Sequence, residues 1–161
     1  AEAYISRIAA LGGVIDTLTA RARVQAEAGV MPPDWVYSYV TSDIRNLLDA
    51  GTDNAVLEDF NGKVMRLREN AQVPMSESRA IDLTGRAAAA WTQSAVPAYR
   101  RLLAEMERQQ AIAPTEDGIW RFNKGAEYYD ALLASYTTTD LTADQIDGLA
   151  AHPIDKVGGG A

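Results

Sequence analysis

An aromatic segment near the carboxyl end, residues 118–146, holds the side chains best suited to binding a ligand. The candidates for a substrate cleft are Trp120, Asn123, Lys124, Gly125, Tyr128 and Tyr129. Neighbouring residues on a helix point about 100° apart, so one tyrosine of the Tyr128–Tyr129 pair can enter a core while the other faces a cleft. Packing of both rings in the core, with their hydroxyls at its rim, is the alternative.

Zinc chemistry built from this chain alone would lack its usual ligands. The sequence contains no cysteine and a single histidine, His152. It also lacks the H-E-x-x-H pattern, which places two imidazoles and a general base on one helical face. A zinc site would therefore need mostly carboxylates, an unusual ligand set. We predict no catalytic residue and no metal ligand in this chain, with His152 on the surface.

The sequence also lacks the patterns of a serine hydrolase and of a phosphate-binding loop. The serines have no G-x-S-x-G context, and His152 is the only histidine that could act as their base. The glycines at 158–160 precede no helix, so they lack the amide groups of a phosphate-binding loop. Glu105 and Glu107 lie two apart on a predicted helix and face different ways. We expect both carboxylates on the solvated surface.

Composition places the chain among globular proteins. Its 161 residues, 47% of them hydrophobic, suit one domain with a core of its own. The formal net charge of -7 disfavours nucleic acid as a partner, because binders usually present a basic face. No apolar run reaches the length of a membrane span, and the first residues lack the pattern of a signal peptide.

Helical periodicity predicts an all-α fold of six or seven amphipathic helices in an irregular antiparallel bundle. In the first helix, residues 1–28, apolar side chains repeat with spacings of four and three: Tyr4, Ile8, Leu11, Ile15, Leu18 and Ala22. The Gly12–Gly13 pair inside it predicts a close helix contact or a bend. The predicted inner faces of the second to fourth helices are Val36, Val40, Ile44 and Leu47; Leu57, Phe60, Val64, Leu67 and Ala71; and Ile81, Thr84, Ala88, Trp91 and Ala95.

Turn and cap residues predict where the first four helices begin and end. Gly29 and Gly51 close the first and second helices. Thr52 or Asp53 caps the third, in which the Asn61–Gly62 step could be a break. Ser76 caps the fourth, after an extended link at 73–74.

Later boundaries follow from proline, asparagine and threonine. Pro97 either kinks one long helix or opens a new one. Residues 119–122 alternate and are aromatic, which suggests a short strand or extended arm before a helix capped by Asn123. A capping box at 142–145 starts the last helix, which runs to about 150. We predict a helical domain over 1–150 and a flexible Gly-rich tail over 151–161.

The order of these motifs resembles a large bacterial family known as domain of unknown function 885. The similar residues are Asn123, Gly125, Tyr128, Tyr129, Thr137, Thr138, Thr139, Leu141, Thr142, Asp144 and Ile146. Pro97, Ala98 and Tyr99, followed by Leu102 and Leu103, resemble an earlier helix of the family, and the residues at 4–8, Gly29 and 31–33 resemble its start. The resemblance covers about residues 4–149.

This resemblance implies a mostly helical, zincin-like metallopeptidase, often exported to the periplasm or lipid-anchored. In the family the zinc motif follows the threonine run, so no zinc ligand can be assigned to a residue here. The implied role is a non-catalytic helical portion that supplies scaffold and part of a peptide-substrate cleft. Its implied partner is the remainder of the parent polypeptide or a partner helix surface. The alternatives are a stand-alone helical binding module, holding a ligand near Trp120, Phe122 and Tyr128, and a purely structural protein.

Overall fold

The structure, a computed structural model, describes residues 1–70 and 75–150. These residues form seven α-helices and no strand, which confirms the predicted all-α fold. The helices are α1 (Glu2–Glu27), α2 (Asp34–Asp49), α3 (Ala55–Glu69), α4 (Glu77–Ala90), α5 (Val96–Gln110), α6 (Gly125–Thr137) and α7 (Ala143–Ala150). A π-helical turn, Trp91–Ala95, joins α4 to α5, and a 3-10 turn, Ile119–Arg121, precedes α6.

The chain divides into two compact units. The first unit runs from Ala1 to Thr115 and contains α1 to α5, and the second begins at Glu116 and contains α6 and α7. The extended link predicted at 73–74, His152 and the predicted tail all lie outside the described residues. A single helical domain over 1–150 stays a prediction.

The first unit buries its largest apolar cluster between α1, α3, α4 and the π turn. Ile8, Phe60, Leu83 and Trp91 lie at its centre, each about 1% exposed. The indole N–H of Trp91 donates to the carbonyl of Gly51 at 2.9 Å. This bond gives the one polar atom of the ring a partner, as a buried tryptophan requires.

A second cluster joins α2 to α5 around Tyr37, Ile44 and Met106. The phenol of Tyr37 donates to Oε1 of the buried Gln109 at 2.9 Å. The predicted inner face of α2 is therefore correct at Ile44 but misses Tyr37 and Thr41, which are its most buried residues. A polar partner on α5 allows the tyrosine to face inward.

The π turn decides between the two predictions for Pro97, a kink in one long helix or the start of a new one. Proline has no N–H to donate to the carbonyl four residues earlier. The chain instead makes a wider turn, in which the N–H of Val96 donates to the carbonyl of Trp91. Helical structure thus continues without interruption from α4 into α5.

The predicted face of α4 is displaced by one residue, and that of α1 differs at one position, since Ile8 and Ile15 are buried as predicted. On α4 the buried residues are Ala80, Leu83 and Ala87, whereas Ile81 is 65% exposed. On α1 Thr19 is buried and Leu18 is exposed, because the Thr19 hydroxyl bonds to the carbonyl of Ile15 at 2.7 Å. At these close contacts the small side chains of Ala80 and Ala87 pack in place of bulkier neighbours. Thr19 can also pack there, because its hydroxyl is hydrogen-bonded within its own helix.

Most predicted helix ends are confirmed. Gly29 and Gly51 adopt positive φ angles of 78° and 58°, and Ser76 caps α4 by accepting from the N–H of Arg79 at 3.2 Å. The cap of α3 was predicted wrongly: Asn54, not Thr52 or Asp53, accepts the first N–H groups. The helix also runs without a break past Asn61–Gly62.

The capping box of α7 is confirmed in both directions. The N–H of Gln145 donates to the Thr142 hydroxyl at 3.3 Å, and the N–H of Thr142 donates to the Gln145 side chain at 2.9 Å.

Across the described residues, none of the helices combines the length and the apolar character needed to cross a membrane.

The segment before α6 differs from its prediction. Residues Ile119–Arg121 form a 3-10 turn, not a strand, and only the flanking Gly118 and Phe122 have extended backbones. The N-cap of α6 is Lys124, not Asn123, and no side chain caps the helix. The backbone closes this turn itself, since the N–H of Gly125 donates to the carbonyl of Phe122 at 2.9 Å.

Candidate functional site

Trp120 and Gly118 shape the aromatic face of the second unit. Trp120 is 78% exposed, yet one side of its indole covers Gly118 so closely that a Cβ at that position would overlap the ring. Only glycine therefore leaves room for the ring in this conformation. The result is a large aromatic surface that is exposed but held against the backbone.

Gly125 brings the 3-10 turn against the first turn of α6. It is the only buried residue of α6, and a Cβ there would overlap the carbonyl oxygen of Ile119. The close approach lets the turn and the helix start form the two walls of one groove. Gly125 thus acts by the absence of a side chain.

This groove, called the aromatic groove below, encloses about 510 Å³. Its lining residues are Ile119, Trp120, Phe122, Asn123, Gly125, Ala126 and Tyr129. Apart from the Asn123 amide and the Tyr129 hydroxyl, the side chains of this lining are apolar or aromatic. Such a surface suits an apolar or cationic side chain, since ring faces attract both.

A second groove lies between α6 and α7 and encloses about 410 Å³. It is called the acidic groove below, and its lining residues are Tyr129, Leu133, Ala143, Asp144, Ile146, Asp147 and Ala150. Tyr129 lines both grooves. The two cavities are therefore neighbours on the same unit and share one lining residue.

The structure brings four of the six predicted cleft residues together. Trp120, Asn123, Gly125 and Tyr129 line the aromatic groove, whereas Lys124 and Tyr128 do not belong to its lining. Lys124 is exposed and lies 3.7 Å from the carboxylate of Glu127. Tyr128 precedes Tyr129 on the helix and is 56% exposed. Neither tyrosine is buried in a core, which excludes the core-packing alternative for the described chain.

Negative charge is concentrated in this unit. Residues 116–150 contain seven acidic and two basic side chains, a net charge of -5, whereas residues 1–115 carry only -2. In the first unit many carboxylates pair with arginine, such as Asp16 with Arg101 at 2.8 Å. No ion pair forms at Asp144 or Asp147 within the described residues. The acidic groove therefore attracts cations.

Several lining residues of the two grooves were not predicted from the sequence. Ile119 and Ala126 were not predicted because their role depends on the close approach at Gly125. Asp144 and Asp147 are exposed but were not predicted to line a cavity, because the groove between α6 and α7 was not expected. Their spacing of three residues on a helix was the available signal, because it places both on one face.

Glu105 in the first unit is buried, although the sequence predicted a solvated carboxylate. It is 3% exposed, not solvated, and its carboxylate accepts bonds from Arg23, Arg108 and Gln109. The hydrogen bond from Arg108 is the main cause that lowers the Glu105 pKa from 4.5 to about 2, against the opposing effect of burial. All its partners belong to the same unit, so this cluster fastens α1 to α5.

A resident metal finds no ligand set in this part of the chain. Among residues 1–70 and 75–150, no three histidine or carboxylate side chains gather closely enough to hold an ion.

The fold and the grooves define an all-α protein with an exposed aromatic groove next to an acidic one. The chain belongs to the family described as "Bacterial protein of unknown function (DUF885)", whose model matches residues 1–158. The resemblance in the order of the motifs is thereby confirmed. No curated protein and no solved structure shows significant similarity to the chain.

Proposed function

We propose that this chain is the non-catalytic helical portion of a zinc metallopeptidase and contributes scaffold and part of the substrate cleft. The observation that carries the proposal is the aromatic groove around Trp120 and Tyr129. Peptide hydrolysis belongs to the complete protein, in which the zinc ligands are supplied by other residues.

The size and lining of the aromatic groove support a binding role. Ligand pockets typically enclose about 300–1,000 Å³ and combine apolar walls with a few polar groups. The groove, at about 510 Å³, has aromatic walls together with the amide of Asn123. Gly118 and Gly125 allow the close contacts with Trp120 and Ile119 from which its walls are built.

Zinc enters this proposal only through the family. When bound in the complete enzyme, it would polarise the peptide carbonyl and activate water. The residues of this chain would do different work: Trp120 and Tyr129 would bind substrate side chains, and Asn123 could orient a peptide group by hydrogen bonding.

The exposed tyrosines of α6 favour a partner that packs against this helix. Tyr128 and Tyr136 are 56% and 83% exposed on this helix, and aromatic side chains are enriched at protein interfaces. We assign this face to the remainder of the parent polypeptide, as the proposed role requires. A helix surface from a separate partner would be the alternative covering.

The coding sequence and metal content of the complete protein test this proposal. We expect an H-E-x-x-H motif on the carboxyl-terminal side of residue 161, about one zinc per complete molecule, and peptide hydrolysis that a chelator abolishes. The 161-residue chain alone should bind no stoichiometric zinc and cleave no peptide. A coding sequence without the motif, or a complete protein without zinc, would contradict the proposal.

A stand-alone binding module is the second candidate function. It is favoured by the two apolar clusters of the first unit, which are closed by residues of that unit alone. A monomer that unfolds cooperatively and binds no apolar dye would favour this function. Concentration-dependent association together with dye binding would favour the portion of a larger enzyme.

A further inference from the structure

We propose that the aromatic and acidic grooves together select a peptide carrying an apolar or aromatic side chain two residues from a lysine or arginine. The inference rests on the proposed function for the role of the grooves as part of a substrate cleft. It adds the class of substrate, which the family description does not provide.

The spacing follows from the tyrosine that both grooves share. Tyr129 belongs to the lining of both the aromatic groove and the acidic groove. In an extended peptide, side chains two residues apart point to the same side and lie about 6.5–7 Å from each other. Two groups in contact with opposite sides of an aromatic ring are separated by about this distance, so one such side chain can enter each groove beside Tyr129.

The chemistry of each groove selects its side chain. Trp120 and Phe122 offer ring surface to an apolar or aromatic group. Asp144 and Asp147 line the neighbouring cavity together with Leu133 and Ile146. A lysine or arginine can lay its methylene stem along the two aliphatic side chains and place its charge near the carboxylates.

The charge of the unit reinforces this selection. Its net charge of -5 over 35 residues raises the local concentration of cationic ligands and disfavours acidic ones. Part of the negative charge also has a local role, since Asp144 lies in the first turn of α7, where the helix dipole favours a carboxylate. Asp147 lies one turn further on, so its position is less well explained by the dipole.

Binding of short peptides to the 161-residue chain tests the inference without any need for zinc or hydrolysis. The probes are blocked pentapeptides containing Phe-Ala-Lys or Lys-Ala-Phe, compared with the same peptides in which glutamate replaces lysine. Titration calorimetry at low salt should show that at least one lysine peptide binds about fivefold more tightly than its glutamate counterpart. The difference should shrink at high salt, because screening weakens exposed charge pairs.

Two substitutions of Asp147 test whether this carboxylate causes the preference for lysine. Asp147→Asn should remove most of the preference for lysine, while Asp147→Lys should reverse it in favour of glutamate. Asp130→Asn is the matched control, because this exposed carboxylate of the same unit lines neither groove. Trp120→Ala should weaken both peptides of a pair by the same factor, since it removes only the aromatic contact.

Equal affinity for the lysine and glutamate peptides, or a preference that persists in Asp147→Lys, would overturn the inference while leaving the proposed function standing. A complete protein that binds no zinc but whose 161-residue portion prefers lysine would overturn the proposed function alone. Circular dichroism of each variant identifies loss of α7, and the reversal expected for Asp147→Lys cannot arise from unfolding.

Discussion

Gly12 and Ser94 lie in direct contact where α1 crosses the π turn. The N–H of Gly12 donates to the Ser94 hydroxyl at 3.2 Å, and that hydroxyl donates to the carbonyl of Ala9 at 2.6 Å. A Cβ on Gly12 would lie 2.5 Å from the hydroxyl oxygen and 2.7 Å from the carbonyl oxygen of Ser94. Backbone of one helix therefore rests on backbone of the other, as the glycine pair in the sequence predicted.

The adjacent glycines should respond to alanine in opposite directions. Gly12→Ala should lower the free energy of unfolding by about 1–3 kcal/mol, because overpacking against the Ser94 backbone exceeds the gain in helix propensity. Gly13→Ala meets no atom within 4 Å. It should raise the free energy of unfolding by about 0.5–1 kcal/mol. Urea unfolding of the two variants measures both, and equal effects of the same sign would contradict the close contact.

Glu105 and Glu107 make a second matched pair. Glu105→Gln should lower the free energy of unfolding by about 1–3 kcal/mol at pH 7, since it weakens several charge-assisted bonds to a buried group. Glu107→Gln should change it by less than about 1 kcal/mol, because that side chain is 46% exposed and pairs with Arg45 at the surface. Denaturant unfolding distinguishes the two, and equal losses would contradict the importance of burial.

The contribution of Glu105 should depend on pH in a stated direction. Its pKa is lowered from 4.5 to about 2 in the folded chain, so the unfolded state takes up the proton first as the pH falls. The stabilisation is fully present above pH 4.5 and is lost between about pH 4.5 and pH 2. The difference in unfolding free energy between the wild-type chain and Glu105→Gln should therefore shrink over that range. A constant difference from pH 7 to pH 2.5 would contradict the lowered pKa.

Gly125 should be needed for the aromatic groove, whereas Gly148 should not. Gly125→Ala displaces the carbonyl of Ile119, so the 3-10 turn and the first turn of α6 should separate. Amide hydrogen exchange in α6 should accelerate by about tenfold or more, as expected for an overpacking cost above about 1.4 kcal/mol. Gly148→Ala meets nothing within 4 Å on α7 and should slow exchange there. Unchanged exchange in the Gly125 variant would contradict the contact.

Helix ends were largely predictable because they depend on residues close in sequence. Ser76, Gly29 and the Thr142–Gln145 box act on backbone groups within a few positions, so their patterns can be read without tertiary knowledge. The error at Asn54 is also local: a third capping residue stood directly after Thr52 and Asp53, and Asn54 and Asp53 are about equally good caps.

Helix faces and grooves were less predictable because they depend on distant partners. Ile81 was placed inside from helical periodicity, but Ala80 and Leu83 fit the close packing of α4 against α1 and α3. The burial of Glu105 depends in part on Arg23, which lies 82 positions away. The aromatic residues of the groove were found from composition, whereas Ile119 and Ala126 needed the fold.

The central claim is that this chain supplies substrate-binding surface to a zinc peptidase without supplying its zinc ligands. Steady-state peptide hydrolysis by the complete protein tests it most directly, with zinc content measured on the same samples. Tyr129→Ala should raise KM by about three- to tenfold, the loss expected for one aromatic contact, with zinc content unchanged. Tyr39→Ala is the control, because this exposed tyrosine lies on α2 in the first unit. Identical KM values for the wild type and both variants, or loss of zinc in Tyr129→Ala, would contradict the account.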